Sequence, residues 1–313
     1  MRQIAIVSGK GGTGKTSLTG AFVRLAGRCV AVDADVDAAN LALLLPGRDG
    51  TWHPFEAGRR AVIEPGRCCS CGACVEACRF GAIEATGHGF GSDPIRCEGC
   101  GACAQVCEEG AVSFRPNVAG RWTTRTTRWG RLVHASLGVA QDSSGKLVAH
   151  LRREARRLAA RNGSDLVLID GPPGIGCPVH AAITGVDGVV VVTEPTEAGI
   201  HDLARVLAVV DHFRLPAGIV LNKADLHPTG ASLVQTVAAA HRVPLLGRIP
   251  FDRRLPGLLA RQETGLELDG VREEILACWR AVGNVLGPDT HRTREPVSAE
   301  PDHRLSRAAA GPS

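Results

Sequence analysis

The sequence has no long apolar run and almost no excess of charge of either sign. No apolar stretch approaches the length of a membrane span. Lysine and arginine number 36 against 32 acidic residues, which leaves a net charge of +4. Such a balance gives no general reason to expect binding to nucleic acid or to an anionic membrane surface. Residues 1–3 lead directly into an apolar run without a signal-peptide pattern. These absences predict a cytoplasmic protein.

Cysteine is the residue type that stands out in this composition. The chain contains 12 cysteines, and nine of them lie within residues 68–78 and 97–107, eight in two groups of four with Cys69 as the ninth. Cysteines grouped so tightly do not suit a disulfide framework, and the chain lacks secretory features. The pattern therefore predicts cofactor ligation in a reducing compartment.

A glycine-rich segment near the N-terminus fits the phosphate-loop pattern G-x-x-x-x-G-K-[ST] at every fixed position. Apolar residues 4–7 predict a buried strand before it, and residues 16–25 predict a helix after it. Glycines bring backbone N–H groups close to phosphate oxygens, while Lys15 adds a charge and Thr16 a magnesium ligand. The predicted nucleotide-binding residues of this loop are Gly9, Lys10, Gly11, Gly12, Thr13, Gly14, Lys15, Thr16 and Ser17.

Acidic residues follow two further apolar runs. Residues 28–32 lead to Asp33 and Asp35, and residues 165–169 lead to Asp170 in the Walker B arrangement. Ligand-binding groups of open α/β sheets lie at the carboxyl ends of the strands. Because predicted strands alternate with helices, we expect a doubly wound, mostly parallel α/β sheet.

The two cysteine groups form an internal repeat. Both contain C-x2-C-x2-C-x3-C, and one constant offset maps Gly72-Ala73 onto Gly101-Ala102. Three cysteines of such a loop can wrap one cubane, while the fourth, on a following helix, points toward another. Zinc also accepts C-x2-C pairs, but eight cysteines in a doubled arrangement favour iron–sulfur clusters.

The phosphate loop resembles a particular family. Lys10 precedes the Gly-Gly pair in K-G-G-T-G-K-T, which resembles the deviant loop of the MinD/ParA/Mrp ATPases and the nitrogenase iron protein. The resemblance implies that Lys10 reaches the partner's phosphates across a nucleotide-sandwich dimer. It implies that one of Asp33 and Asp35 lies near magnesium and that the other helps to position the attacking water. Which aspartate has which role is left open. It further implies that Asp170 is a second-shell magnesium ligand and that the Gly174 N–H senses the γ-phosphate.

The same resemblance extends to the base pocket. Residues 222–225 read N-K-x-D, which recognises guanine in GTPases, whereas MinD-like ATPases place an asparagine here against adenine. The resemblance thus implies that Asn222 contacts adenine and that Pro250 and Asp252 belong to a loop beside the base. We expect ATP and Mg²⁺ as cofactors, with GTP as the alternative nucleotide.

The doubled cysteine pattern resembles a two-cluster bacterial ferredoxin. Arg79 and Glu108 replace the proline usual after the fourth cysteine, a change that leaves ligation in place. Cys69 is a spare cysteine that we interpret as a small packed residue. The resemblance implies one [4Fe–4S] cluster held by Cys68, Cys71, Cys74 and Cys107 and a second held by Cys97, Cys100, Cys103 and Cys78.

We therefore predict a P-loop ATPase with an inserted bacterial-type 2[4Fe–4S] ferredoxin domain. The expected parts are residues 1–60 and 118–288 of the ATPase domain, residues 61–117 of the insert, and a disordered tail at 289–313. Residues 121–129 are expected to form a connector, with a docking surface or a nucleic-acid groove as alternatives. Cys177 is either a buried cysteine at a helix start or, as its distance after Asp170 resembles the nitrogenase iron protein, a ligand of a cluster shared between subunits.

The expected function couples the nucleotide state of a dimer to electron transfer through the two clusters. The dimer is either a homodimer or a heterodimer with a related ATPase, and a redox protein is the expected partner. Two alternatives remain: an iron–sulfur cluster carrier or assembly ATPase like Mrp, and a redox-sensing regulatory switch of the MinD/ParA type.

Overall fold

The computed structural model describes residues 1–138 and 143–286. Within these residues, a ten-stranded sheet forms the centre and a separate two-stranded sheet lies outside it. The strands are β1 (Arg2–Ser8), β2 (Cys29–Asp33), β3 (Gly47–Asp49), β4 (His53–Ile63), β5 (Ile83–Thr86), β6 (Gly89–Ser92), β7 (Val112–Thr127), β8 (Gly130–Leu137), β9 (Leu166–Pro173), β10 (Gly188–Thr193), β11 (Ala217–Asn222) and β12 (Leu245–Ile249).

Helices connect most of the parallel strands and cover the faces of the sheet. They are α1 (Lys15–Ala26), α2 (Leu41–Leu44), α3 (Ala73–Glu76), α4 (Ala102–Gln105), α5 (Ser144–Asn162), α6 (Cys177–Ile183), α7 (Glu197–His212), α8 (Pro228–Ala240), α9 (Leu255–Ala260) and α10 (Asp269–Leu286). None of the described helices is long and apolar enough to cross a membrane.

The large sheet is parallel over most of its width. Its order is β12-β11-β10-β1-β9-β2-β8-β7-β3, and β4 also pairs with β7. All pairs from β12 to β8 are parallel, whereas β7 is antiparallel to β8, β3 and β4. The predicted mostly parallel α/β fold is confirmed, with an antiparallel extension at one edge.

Alternating side chains of β1 show how the two faces of the sheet are covered. Ile4 and Ile6 pack into one core with α1 and α10, whereas Ala5 and Val7 pack into the other with α5, α6, α7 and α8. All four side chains are almost completely buried. A parallel strand buried on both faces is continuously apolar, which explains why residues 4–7 read as a strand in the sequence.

An antiparallel pair of strands carries the cysteine segment. We call β4 and β7 the arm, and residues 64–111 between them the cysteine module. The last cross-strand pair of the arm joins Ile63 to Val112. Inside the module, β5 and β6 form a hairpin, and α3 and α4 each begin after a glycine in the left-handed conformation, Gly72 and Gly101. The two halves of the sequence repeat therefore fold alike at these turns.

The structure differs from the sequence expectations in two places, and a third expectation is not tested by it. β4 was not expected, although residues 121–127 of the predicted connector do lie in β7. The apolar run at residues 40–45 predicts a helix, but only the four-residue α2 forms there, because Pro46 follows so closely. The predicted tail at residues 289–313 lies outside the described residues.

Candidate functional site

The phosphate loop runs from the end of β1 to the start of α1. Gly12 and Gly14 adopt φ angles of 78° and 87°, which favour glycine. A Cβ on Gly14 would lie 2.2 Å from Asn222 Nδ2, so this position also lacks room for a side chain. Asn222 Nδ2 donates a hydrogen bond of 2.7 Å to the carbonyl of Thr13. Asn222, predicted to contact the base, thus also fixes the loop conformation.

Asp170 is the buried centre of a hydrogen-bond network below the loop. Its carboxylate accepts hydrogen bonds from Lys15 Nζ at 3.2 Å and from Thr16 Oγ1 at 2.7 Å. Thr19 Oγ1 adds a third at 2.9 Å, and this buried residue was not among the predicted site residues. The only feature of the sequence that could have indicated Thr19 is its position one helical turn after Lys15. Three donors hold Asp170 in place, as a predicted magnesium-binding group requires.

The two acidic residues after β2 lie in different surroundings. Asp33 is directly opposite Asp170 on neighbouring strands and accepts a hydrogen bond of 2.9 Å from the Leu41 N–H. Its Oδ1 is buried without a hydrogen-bond partner among the described residues. Burial and then the Asp170 charge raise the pKa of Asp33 well above its ordinary value. Asp35 Oδ2 lies 3.6 Å from Lys15 Nζ.

Lys10 is held within its own subunit in this structure. Its Nζ forms an ion pair with Glu194 and donates to Thr196 Oγ1 at 3.3 Å. Glu194 also pairs with Lys223 Nζ at 2.7 Å, and Lys223 donates to the Gly12 carbonyl at 3.0 Å. Burial raises the pKa of Glu194, but the two lysines outweigh it and hold the pKa below its ordinary value. Glu194 was not a predicted site residue, because only the fold brings it to the loop.

Gly174 lies on the segment after β9 and adopts a φ of 90°. Its N–H donates a hydrogen bond of 2.8 Å to the carbonyl of Ser8, at the end of β1. The group expected to sense the γ-phosphate is therefore engaged with the strand that leads into the phosphate loop. Contact with a phosphate would require this hydrogen bond to break.

A cavity of about 830 Å³ opens over the phosphate loop. Among the predicted site residues it is lined by Gly11, Gly12, Thr13, Gly14, Lys15, Thr16, Ser17, Asp35, Asn222, Pro250 and Asp252. The other predicted residues, Gly9, Lys10, Asp33, Asp170 and Gly174, do not line it. An apolar part of the wall was not predicted and comes from Leu43, Leu44, Phe251, Leu255, Pro256 and Leu259.

The loop beside the predicted base pocket is fixed by two aspartates. Asp225 accepts a hydrogen bond of 2.7 Å from the Phe251 N–H. Asp252 pairs with Arg254, whose hydrogen bonds lower the pKa of that exposed carboxyl to about 2. The N-K-x-D and I-P-x-D segments are therefore joined by a direct contact.

The cysteine module contains two cavities, each surrounded by one of the predicted ligand sets. The larger, about 270 Å³, is lined by Cys68, Cys71, Cys74 and Cys107, and also by the exposed Cys69. The smaller is lined by Cys78, Cys97, Cys100 and Cys103. Each set combines three cysteines of one repeat with the fourth of the other. Cys69 is not the packed residue that we expected.

The chemistry of these two rings suits iron–sulfur ligation. Three backbone N–H groups donate to ring sulfurs: Ala61 to Cys97 at 3.4 Å, Ala82 to Cys78 at 3.3 Å, and Ala111 to Cys107 at 3.3 Å. Such hydrogen bonds stabilise thiolate charge. No three candidate ligands among the described residues lie close enough to hold a single metal ion. A cubane is bound by one cysteine at each of four corners. Its ligands therefore surround a space the size of the cluster and do not converge on a single ion.

The remaining cysteines divide between surface and core. Cys177 begins α6, as expected, but it is exposed, so the expectation that it is buried is wrong. Cys29 and Cys278 lie in the core, and burial raises the pKa of each thiol to about 12. These two cysteines are packed core residues, and the apolar sequence on either side of each of them predicts this.

The fold and the loop geometry define a P-loop nucleotide-binding protein of the parallel α/β class. The family model of the CobQ/CobB/MinD/ParA nucleotide binding domain matches residues 4–265. The chain therefore belongs to the CobQ/CobB/MinD/ParA family.

Individual relatives agree with this assignment. The chain is 33% identical over 264 residues to protein MJ0578 of Methanocaldococcus jannaschii, covering 83% of this chain and 88% of that protein. It is 23% identical to the ATP-binding protein MJ0547 of the same organism, covering 80% of this chain and 74% of that one. The septum site-determining protein MinD of Pyrococcus horikoshii, solved with Mg-ADP, has the same fold. Its TM-score is 0.53 at 20% identity, with coverage of 89% and 95% of the two chains.

Proposed function

We propose that this chain is an ATP-hydrolysing iron–sulfur protein that couples the nucleotide state of a dimer to electron transfer through two [4Fe–4S] clusters. The observation that carries the proposal is the pair of complete four-cysteine rings on an arm that is continuous with the nucleotide-binding sheet. Membership of the family and the cavity over the phosphate loop support the nucleotide half.

In the nucleotide half, Lys15 has a double role. Its ammonium faces Asp170 and Asp35 in this structure, so it compensates carboxylates until a phosphate replaces them as its partner. Thr16 and Asp170 are the groups that would hold Mg²⁺, and Thr19 keeps the Asp170 carboxylate oriented. Phosphoryl transfer to water then depends mainly on position and charge stabilisation. ATP as the nucleotide is supported by the similarity to the ATP-binding protein MJ0547 and to the MinD that was solved with Mg-ADP.

Two contacts would have to change when ATP binds and the dimer closes. Lys10 must leave Glu194 to reach phosphates of the partner's nucleotide, and Gly174 must release the Ser8 carbonyl to meet the γ-phosphate. Both contacts lie at ends of central strands of the sheet. Exchanging these two contacts for phosphate contacts would give two discrete arrangements, which is what a nucleotide switch needs.

In the cysteine half, the rings would hold the clusters and the protein would tune them. Cys68, Cys71, Cys74 and Cys107 suit one cluster, and Cys78, Cys97, Cys100 and Cys103 suit the other. Bound clusters supply one-electron oxidation and reduction. The N–H donors of Ala61, Ala82 and Ala111 stabilise the negative charge of the ligating sulfurs.

The coupling path proposed here is a ladder of paired strands. β7 leaves the module and pairs with β8, and β8 pairs with β2, which ends at Asp33. A shift at Asp33 and Asp35 on nucleotide binding can therefore be transmitted to the arm through backbone hydrogen bonds.

The test is cluster reduction in three nucleotide states. The protein is purified without oxygen and titrated with dithionite, with no nucleotide, with ADP and with ATP, and EPR follows the clusters. We expect the potential or the line shape to change with ATP in the native protein and to stay constant in Lys10→Gln. Identical potentials and line shapes in all three states of the native protein would contradict the coupling.

One observation favours a second candidate, an iron–sulfur cluster carrier. Cys71 and Cys100, one in each ring, are exposed, so a bound cluster could be reached by an acceptor. Transfer of iron and sulfide to an apo-ferredoxin at a rate that depends on ATP would support this candidate. Clusters that stay on the chain through repeated ATP turnover would exclude it.

A further inference from the structure

Arg60 and Arg115 occupy an unusual position on the arm. They lie directly opposite each other on β4 and β7, so their side chains share one face of the ribbon. Among the described residues, neither guanidinium has an ion-pair or hydrogen-bond partner. Like charges directly opposite each other in an antiparallel pair destabilise it. The arm therefore keeps an unfavourable charge pair that its fold does not need.

The two arginines border a groove that suits an extended acidic surface. The groove has a volume of about 310 Å³ and is lined by Arg60, Arg115, Val62, Gly91, Ser92 and neighbouring backbone of β4. Its walls come from β4, β6 and β7, and its cations are the side chains of the half-buried Arg60 and the exposed Arg115 rather than a cradle of N–H groups. This differs from the phosphate loop, where backbone encloses a small anion. Carboxylates displayed by another protein can pair with both guanidiniums.

The backbone behind the groove belongs to the second cysteine ring. Arg59 points to the opposite face, where its guanidinium lies 4.2 Å from the Phe114 ring and its Nε donates to the Gly99 carbonyl at 3.2 Å. Gly99 lies between Cys97 and Cys100. On the other side of Arg60, the Ala61 N–H donates to Cys97 Sγ. Residues 59–61 thus present Arg60 outward and contact the cysteine ring inward.

We propose that the face of the arm bearing Arg60 and Arg115 is the docking surface for an acidic one-electron carrier protein. This inference rests on the proposed function, because it assumes that the ring holding Cys97 carries a cluster. Docking places the carrier against the outer face of the ribbon, with the ring on the inner face. One electron passes per encounter: the carrier is oxidised, the chain is reduced, and no bond forms or breaks. The opposed arginines persist because a partner's carboxylates neutralise them.

The test measures docking separately from electron transfer. Anaerobically purified, cluster-loaded protein is titrated with an acidic [2Fe–2S] ferredoxin at low salt, and binding is followed by calorimetry. For Arg60→Gln/Arg115→Gln we expect the Kd to rise about tenfold and its dependence on salt to weaken. The matched control is Arg272→Gln/Arg280→Gln on α10, which removes the same charge elsewhere and should leave the Kd unchanged.

A second readout separates docking from a structural role. Because the double variant removes opposed like charges, its Tm should equal or exceed that of the native protein while its Kd for the carrier rises. An unchanged Kd, or an equal rise in the control pair, would overturn the inference. So would full competition by inorganic phosphate, which would identify a small-anion site.

The proposed function itself is checked on the same sample. Iron and sulfide content of the native protein tests whether the rings carry clusters. A loaded protein that does not bind the ferredoxin contradicts the docking surface alone, whereas a protein that never holds iron contradicts the proposed function.

Discussion

The nucleotide-binding sheet and the cysteine module are stabilised in different ways. The sheet has two extensive apolar cores, and the side chains of β10 from Val189 to Val192 are completely buried. Among the described residues, the separate buried cluster at the module and the adjoining end of the arm consists of Ala61, Ile63, Cys74, Ile83, Cys103 and Ala111. Two of these six are predicted cluster ligands, and two are alanines.

The difference shows what each region needs in order to fold. A large parallel sheet buries enough apolar surface to be stable alone. A short segment with so small a core usually needs a disulfide, a metal or another cross-link. All 12 cysteines of the chain are free, so the module has no disulfide. If the proposed clusters are present, they complete its fold as well as supplying its chemistry.

The largest expected effect comes from removing the proposed clusters. Treatment with a chelator and an oxidant should unfold residues 64–111, because metal binding and folding are coupled in such segments. Limited proteolysis with mass spectrometry should show cleavage confined to the module, and nucleotide binding should survive. If the module stayed resistant to protease without iron, the two regions would not differ in the way they are stabilised.

The next effect tests whether the nucleotide site is independent of the module. Lys15→Met removes the cation that faces Asp170 and is proposed to bind the phosphates, and we expect nucleotide affinity to fall about 100-fold or more, measured by calorimetry. Iron content should not change. The matched control is Lys146→Met, an exposed lysine on α5. Loss of iron in Lys15→Met would show that the two regions fold together.

A smaller effect is expected where α1 packs against the end of β9, at the hydrogen bond from Thr19 to Asp170. Thr19→Val keeps the shape of the side chain but removes a hydrogen bond to the buried Asp170, so the free energy of unfolding should fall by about 1–3 kcal/mol. Thr236→Val on α8 is the control, because its hydroxyl bonds an exposed carbonyl one turn earlier. Urea denaturation of both variants gives the comparison, and equal losses would show that the Asp170 contact contributes nothing specific.

The smallest expected effect is at β8, the strand of the sheet that pairs with β7 of the arm. His134 of β8 is buried against Asp49 at 3.0 Å. Burial lowers the pKa of His134 below its ordinary 6.5, although Asp49 opposes this. The folded state then binds fewer protons than the unfolded state just below pH 6.5. Stability should therefore decrease as pH falls through that window, by at most about 1.4 kcal/mol per pH unit.

His134→Asn tests this contribution, because an amide can bond Asp49 without titrating. Urea midpoints at several pH values around 6 should show a shallower slope in the variant than in the native protein. An identical slope would assign the pH dependence to other groups.

The sequence predicted those parts of the molecule in which a function fixes both residue type and spacing. Lys15, Thr16 and Asn222 were identified in this way, and in the structure all three line the cavity over the phosphate loop. Glu194 and Thr19 were not found, because their roles depend on contacts with residues far away along the chain. β4 was missed because Pro54, Gly58 and two arginines interrupt its apolar pattern. An edge strand tolerates these residues because only one side of it needs a neighbour.

The pairing of Ile63 with Val112 has a consequence for how such a chain can be rebuilt. Beyond this pair, the Glu64 N–H still reaches the Ala111 carbonyl at 2.8 Å, so the module begins and ends at adjacent points. A single deletion of residues 64–111, closed by a two-residue turn, would leave the arm as an ordinary hairpin. Gaining or losing the whole module therefore needs one change in the gene and no rearrangement of the sheet.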